Sequence, residues 1–440
     1  MASTYLSKTF SASNRKTFTL SYWVKSGVDG YHFTVGSDNF NIRFQANTSF
    51  IGEYNPSASS YDFLVKTNRL LRDVSAWYHI VMAVDTTQAT SSDRVKIYVN
   101  GVQETSLQTA TYPSQNYDTS VNTNAQHNIG VNGGISNYFN GLFSHIHFID
   151  GTAYDASTFG ETDATTGIWK PKTSPSVTYG TNGFFLKFEN SGSMGTDSSP
   201  NGNNFTVNGT LTQTVDTPSN VFSTLNAVNT GPYFAGTLSN GNLSYTNITA
   251  GNYYTPGSTL RVSLGKWYSE FKVQSATDWI AVGVDTRILT ATNDHCGKTA
   301  SGWLYVGGSS SGGSNSLYSA SFTSYGDSYT TNDIIGVALD LDNKKLYFSK
   351  NGTWQNSGDP ESGATGTGAI DISTIGNDVY FGVGNFSGIN TAGWHCNFGN
   401  GYFGTTAVSS AGSNGNGAIF EYDVPTGYYA LNTKNINTYG

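Results

Sequence analysis

Residues 81–102 read Val81-Met-Ala-Val-Asp85, a polar turn, then Arg94-Val-Lys-Ile-Tyr-Val-Asn100-Gly101-Val102. Residues 335–354 repeat the pattern: Ile335-Gly-Val-Ala-Leu-Asp340, a shorter turn, then Lys345-Leu-Tyr-Phe-Ser-Lys-Asn351-Gly352-Thr-Trp354. In each, an apolar strand ends in Asp and an alternating strand runs into Asn-Gly. Alternation followed by Asn-Gly is a strong local signal for paired strands and a tight turn. Two copies so far apart predict two sheet domains of related architecture, and turn attention from catalysis to recognition.

Composition agrees with strands. Charged residues make up 12% of the 440 residues, aromatics 14%, and there are 51 glycines. Glu occurs only seven times. Tyr, Thr, Ser, Asn and Gly build strands and turns rather than helices. The net charge of −8 comes with no basic run. A duplex nucleic-acid partner needs a positive surface, so none is expected. No apolar stretch approaches a membrane span. The N-terminus lacks the apolar core of a signal peptide, so synthesis in a cytosol and exit by lysis or assembly is expected.

Outward from the first hairpin, Lys16-Thr-Phe-Thr-Leu-Ser-Tyr-Trp-Val-Lys25 alternates with large residues on both faces, as a strand in the middle of a sandwich does. Further strands are predicted at 31–36, 40–45, 62–66, 77–84, 94–100, 127–131 and 141–149, with turns and no helix between them. The predicted class is all-β, two antiparallel jelly-roll sandwiches in series.

These motifs, with Trp77-Tyr-His-Ile-Val81 and Gly141-Leu-Phe-Ser-His-Ile-His-Phe-Ile-Asp-Gly151, resemble a laminin G-like, concanavalin A-type domain. Residues 183–212 are similar to that family too, and place the domain at 1–212. A packed connector is expected at 213–242. From 243 to 440 the order Gly265-Lys-Trp-Tyr-Ser-Glu-Phe-Lys-Val273, Trp279-Ile-Ala-Val-Gly-Val-Asp285, Gly302-Trp-Leu-Tyr-Val306, the second hairpin, Val379-Tyr-Phe-Gly-Val-Gly384, Asn397-Phe-Gly399 and Val424-Pro-Thr-Gly427 resembles a SPRY domain. A Gly/Ser/Asn-rich insert at 404–417 departs from that family, and its composition predicts a flexible loop.

Chemistry is sparse. Glycoside hydrolysis needs two carboxylates flanking the bond; the nearest approach is Glu161-Thr-Asp163, in a loop and without a third acid. No nucleophile elbow or Walker motif occurs, and Gly307-Gly-Ser-Ser-Ser-Gly-Gly313 lacks the Lys of a phosphate cradle. The expectation is no enzyme. His295-Cys296 and His395-Cys396 offer zinc-ligand types, but alternation turns Trp394, Cys396 and Phe398 to one face and His395 to the other; free thiols are expected. His145 and His147 share a strand face. The laminin G-like resemblance allows one Ca²⁺ at a sheet rim, where Asp29, Asp38, Asn39, Asp62, Asp85 and Asp118 are candidates that no spacing selects.

Ligand binding by a sandwich uses aromatic and amide or carboxylate side chains on loops. The candidates are Tyr31, His32, Tyr61, Asp62, Tyr117, Asp118, Asn137 and Tyr138 in the first domain, with Tyr112 nearby. In the second, the SPRY resemblance implies loop residues Asp285, Arg287, Tyr325, Asp327 and Trp354, with Tyr253-Tyr254 and the stretch to Asp294 nearby. The two modules in series, with the Asp216-Thr-Pro-Ser-Asn connector, are similar to virion proteins of marine bacteriophages, especially those of cyanobacteria. That resemblance implies a tail fibre, tail adaptor or head appendage on the virion, made in the bacterial cytoplasm. Its implied partners are other virion proteins and a host surface glycan or protein, and its implied state a homo-oligomer such as a trimer. The alternatives are an assembly or decoration protein with no host ligand, and a polysaccharide depolymerase.

Overall fold

The computed structural model describes residues 4–26, 29–37, 39–133, 135–164, 167–227, 236–247, 255–276, 280–289, 295–308, 316–385 and 392–440. Asp38, Tyr253, Tyr254, Trp279, Asp294 and residues 309–313 of the Gly/Ser run lie outside them. The chain is all-β, with antiparallel sandwiches in two compact units, Met1–Gln213 and Thr214–Gly440.

In the first unit an eight-stranded sheet runs Leu107–Thr111, Ser60–Thr67, Thr48–Asn55, Phe40–Gln45, Gly30–Val35, Gln126–Ile129, Tyr5–Thr9, Thr206–Asn208. A six-stranded sheet runs Phe184–Leu186, Gly141–Asp150, Thr17–Ser26, Tyr78–Asp85, Val95–Val99, Val102–Gln103. Phe18, Leu20, Tyr22 and Val24 from one sheet meet Phe33, Phe40, Ile42 and Phe63 from the other in one core. The strand Thr48–Asn55 was not among those read from sequence. Gly52 and Glu53 break its alternation, and its hairpin is made by Ala46 and Asn47 at φ 51° and 59°. Asp29 secures that turn by accepting from the amides of Ala46 and Asn47 at 2.5 and 2.9 Å.

The other face of Thr17–Ser26 carries Thr19, Ser21 and Trp23, and the chain covers it. Thr19 donates to Thr152 O and accepts from Tyr154 N, both at 2.8 Å. Trp169 donates to His79 Nδ1 at 3.0 Å. Val81 and Ile149 from this sheet bury against Ala156 and Phe159, with Tyr154, Trp169, Val177 and Tyr179 packed around them. His145 and His147 both lie against Phe185, with ring centroids 6.1 and 3.7 Å away, and a bulge with His145 at φ 48° sets their spacing.

The second unit stacks a nine-stranded sheet, with Lys266–Ala276 and Ile334–Asp340 near its middle, on the five strands Ser321–Ser324, Ser316–Ser319, Gly302–Gly307, Ile280–Asp285 and Tyr380–Asn385. Trp267, Trp394, Cys396, Phe398, Val337 and Phe348 are fully buried in its core. His395 points the other way and meets Ser244 Oγ at 2.7 Å. Both cysteines are buried and free. Phe222 bridges to Asn432 and Leu225 to Ser258, all within the second unit.

The two hairpins match atom for atom at their ends. Asn100 and Gly101 have φ 48° and 84°; Asn351 and Gly352 have φ 49° and 81°. Asn100 Oδ1 accepts from His79 N at 2.8 Å, and Asn351 Oδ1 from Ile334 N at 2.8 Å. In return the amide of each Asn donates to the carbonyl of that same residue. Asn tolerates the left-handed region and also caps the neighbouring strand, which is why both strands end on this pair.

The insert departs from its expectation. Residues 404–417 are pinned by hydrogen bonds: Val408 N to Gly401 O, Gly412 N to Phe420 O and Val424 N to Ser413 O, at 2.9–3.0 Å. Loop composition describes the unfolded chain's freedom, and backbone pairing overrides it here.

Candidate functional site

With the outer face of the six-stranded sheet covered, the eight-stranded sheet supplies the first unit's candidate surface. Alternation on Phe40–Gln45 sends Phe40, Ile42 and Phe44 into the core and Asn41 and Arg43 outward. The Arg43 guanidinium lies over the rings of Tyr31 (4.8 Å) and Phe50 (4.5 Å). It donates to the hydroxyls of Tyr31 and, at 3.5 Å, of Tyr61. Tyr54 packs on Tyr61 with centroids 5.3 Å apart. Lys66 stands across from Phe50 in the register. Asn41 is 1% exposed, and among the described residues its Oδ1 and Arg43 Nε, both buried atoms, have no hydrogen-bond partner. Phe50, at 1% exposure, lies beneath the guanidinium, and the half-buried rings of Tyr31 and Tyr61 beside Arg43 form the surface that can stack on a sugar ring and bond its hydroxyls or acid groups.

The structure therefore unites Tyr31 and Tyr61 through Arg43, a residue that the sequence reading passed over. Its signal was present: one cation inside the aromatic alternation Phe40-Asn-Ile-Arg-Phe44. Asp62 joins at the edge, accepting from Tyr117 Oη at 2.8 Å and Asn55 Nδ2 at 3.1 Å. Burial holds the Tyr117 phenol neutral, with its pKa well raised. Asp118 gives its carbonyl to Arg15, at 3.0 Å. Asn137 turns the chain at φ 52°, and Tyr138 leans on Tyr5 at 6.2 Å. His32 is placed in the core instead: it is 2% exposed, bonded to Tyr22 Oη at 2.8 Å and edge-on to Phe44. Burial lowers its pKa to about 3, so it is neutral.

The acidic residues weighed for calcium serve separate turns. Asp29 holds the 46–47 turn, and Asp85 accepts from Thr17, Thr87 and Gln88. Among the described residues no three His, Cys, Asp or Glu side chains converge as a metal cage, and no helix is long and apolar enough to cross a membrane.

In the second unit the loop candidates divide. Asp285 is fully buried and accepts from the amides of Thr286, Arg287 and Gly297. Arg287 reaches back to it at 2.9 Å. Tyr325 is buried against Tyr305 and Phe348. These three shape the loops from inside. Asp327 is exposed, and its amide donates to Gln355 Oε1 at 2.7 Å. Trp354 is half-buried and lines a cleft of about 350 Å³ with residues of the insert.

Two binding sandwiches thus define the class: a carbohydrate- or protein-binding β-sandwich protein. The profile of the concanavalin A-like lectin/glucanases superfamily matches residues 2–157, and that of the SPRY domain matches 266–361. The chain carries a laminin G-like domain followed by a SPRY domain. A comparison with curated protein sequences finds no match. Among solved structures, the SPRY domain of human HERC1 is 18% identical, covers 39% of this chain and 96% of its own, and has a TM-score of 0.31. A human SPRY domain is 14% identical, with 35% and 90% covered and a TM-score of 0.26. Stonustoxin is 18% identical, with 40% and 27% covered and a TM-score of 0.28.

Proposed function

We propose that this chain is a bacteriophage virion structural protein, in a tail fibre, tail adaptor or head appendage, that attaches the particle to a host surface glycan or protein. It acts by binding and not by catalysis, and works as a homo-oligomer held by other virion proteins. The observation that carries the reading is the ring-and-guanidinium cluster of Tyr31, Arg43, Phe50 and Tyr61 on the outer face of the eight-stranded sheet. Such a surface offers stacking and fixed donors, the means of holding a sugar ring. The sequence resemblance to marine phage virion proteins supplies the setting.

Two measurements test it together. Antibody labelling of purified particles should place the protein on the virion surface. The purified full chain should adsorb to host cells and block adsorption of the particle. A protein found on particles that neither adsorbs nor blocks would be an assembly component instead. Release of reducing ends from envelope polysaccharide would make it a depolymerase.

A further inference from the structure

The outer face of the eight-stranded sheet holds positive charge that the protein itself does not neutralise. Phe50 stands between Arg43 on one neighbouring strand and Lys66 on the other. Residues directly across from one another share a face. With strands about 4.8 Å apart, the two cations leave the sheet about 10 Å from each other. Arg43 gives two of its five N–H groups to the hydroxyls of Tyr31 and Tyr61. Those phenols bring no charge. Among the described residues, neither Arg43 nor Lys66 pairs with a carboxylate, whereas Arg69, Lys96, Lys170 and Lys187 of the same unit each meet one at 2.6–3.9 Å.

The acids on the neighbouring strands are turned away or occupied. Glu53 stands across from Phe40 and Phe63, on the core side, and accepts from Ser120 N at 2.9 Å. Asp62 accepts from Tyr117 and Asn55 at the edge. A second observation is independent of charge. Asn41, two residues from Arg43 on the same face, is 1% exposed, yet its Oδ1 has no partner among the described residues, and neither has the buried Nε of Arg43. Buried polar atoms are nearly always satisfied. An open acceptor and an open donor on one face are completed by a bound polar group or by the water it orders.

Resting on the attachment reading above, we propose that this face selects an acidic glycan, one whose sugars carry carboxylate or sulfate groups. One oxyanion sits on the Arg43 guanidinium, a second lies toward Lys66, and the sugar rings lie against Tyr31 and Tyr61. Two cations are too few for a nucleic acid, whose affinity grows with the number of phosphates neutralised.

The test measures binding of the full chain by calorimetry to polygalacturonate, its carboxyl-reduced counterpart, dextran sulfate and dextran. At least one acidic polymer should bind tenfold or more tightly than its neutral counterpart, and added salt should weaken it. Arg43→Gln should abolish the preference. Arg43→Lys keeps the charge without the fork and should restore only part of it. Lys66→Gln should weaken acidic-polymer binding severalfold and flatten its salt dependence; this half-buried side chain has no ion pair to lose, so it carries the test should Arg43→Gln fold poorly. Lys96→Gln, on the other sheet, should bind as the native chain does. Failure of both acidic polymers, equal binding of acidic and neutral polymers, or a preference that survives Arg43→Gln and Lys66→Gln overturns the proposal. Adsorption to host cells separates the two readings. A chain that adsorbs to cells but shows no acid preference keeps the attachment reading and loses this one. A chain that prefers acidic polymers but does not adsorb keeps this one and loses attachment.

Discussion

Arg43 illustrates how a single side chain turns scattered aromatics into a surface. Tyr31 and Tyr61 stood out in the sequence because exposed-looking Tyr beside polar residues marks binding loops. Arg43 did not, because inside an alternating strand a cation reads only as the solvent face. What the sequence lacks is register: only the pairing of Phe40–Gln45 with Thr48–Asn55 puts Phe50 across from Arg43. Arg43→Gln removes two cation–π contacts and the hydrogen bonds to Tyr31 and Tyr61. We expect at least a tenfold loss of ligand affinity, with a thermal midpoint shifted by only a few degrees; calorimetry and a binding titration check it together. His32 shows the opposite error. A His next to a Tyr resembles a binding pair, yet alternation sends one of the two inward.

The turn asparagines give a second prediction at this scale. Asn100→Ala and Asn351→Ala each strand the amide of a strand residue, His79 or Ile334, and place Ala at positive φ. Each should cost about 1–3 kcal/mol, measured by denaturant unfolding. A shared hairpin requires the two costs to be similar. A large loss at one and none at the other would show that the copies differ in role.

At the scale of elements, the hairpins, the central strands and the sandwich class were legible, because alternation and Asn-Gly are local signals. The strand Thr48–Asn55 and the order within 404–417 were not: Gly52 and Glu53 interrupt the alternation of the first, and the second is held by backbone pairs such as Gly412 N to Phe420 O that its Gly/Ser/Asn composition does not signal. The segment after the insert is tied to the sheet by Glu270, which accepts from Glu421 N at 2.8 Å, Tyr422 N at 2.9 Å and Tyr268 Oη at 3.1 Å. Burial is the largest influence on this carboxyl and raises its pKa from 4.5 to about 7 despite those bonds. The folded state therefore holds its proton more tightly than the unfolded chain. Its contribution is fully present below pH 4.5 and is lost as pH rises through about 7, an effect of about 3 kcal/mol. Glu270→Gln should remove that slope: the gap in unfolding free energy between the native chain and the variant should change between pH 4.5 and 7 and be constant above 7. A constant gap over the whole range would contradict it.

For the molecule as a whole, the seven histidines are unequally shared. His32, His79, His127, His145 and His147 lie in the first unit, His295 and His395 in the second. Burial lowers His32 and His79 to about 3 and His127 to about 4, and lowers His147 further below its ordinary value than His145. The unfolded chain takes up protons near pH 6.5, whereas the folded unit resists them. The stability that these groups give is fully present above pH 6.5 and is lost as pH falls, by about 1.4 kcal/mol per histidine per pH unit until the folded pKa is reached. The first unit should therefore be the acid-labile one, its loss followed through Trp23 and Trp169 fluorescence between pH 6.5 and 4. The buried histidines thus resist protonation inside the scaffold.

The measurement that bears most directly on this account is a glycan array of host envelope polysaccharides probed with the full chain and with Arg43→Gln. The account predicts binding to a defined set of glycans that Arg43→Gln abolishes. Glycan binding that persists in Arg43→Gln would contradict the assignment of the site to the outer face of the eight-stranded sheet.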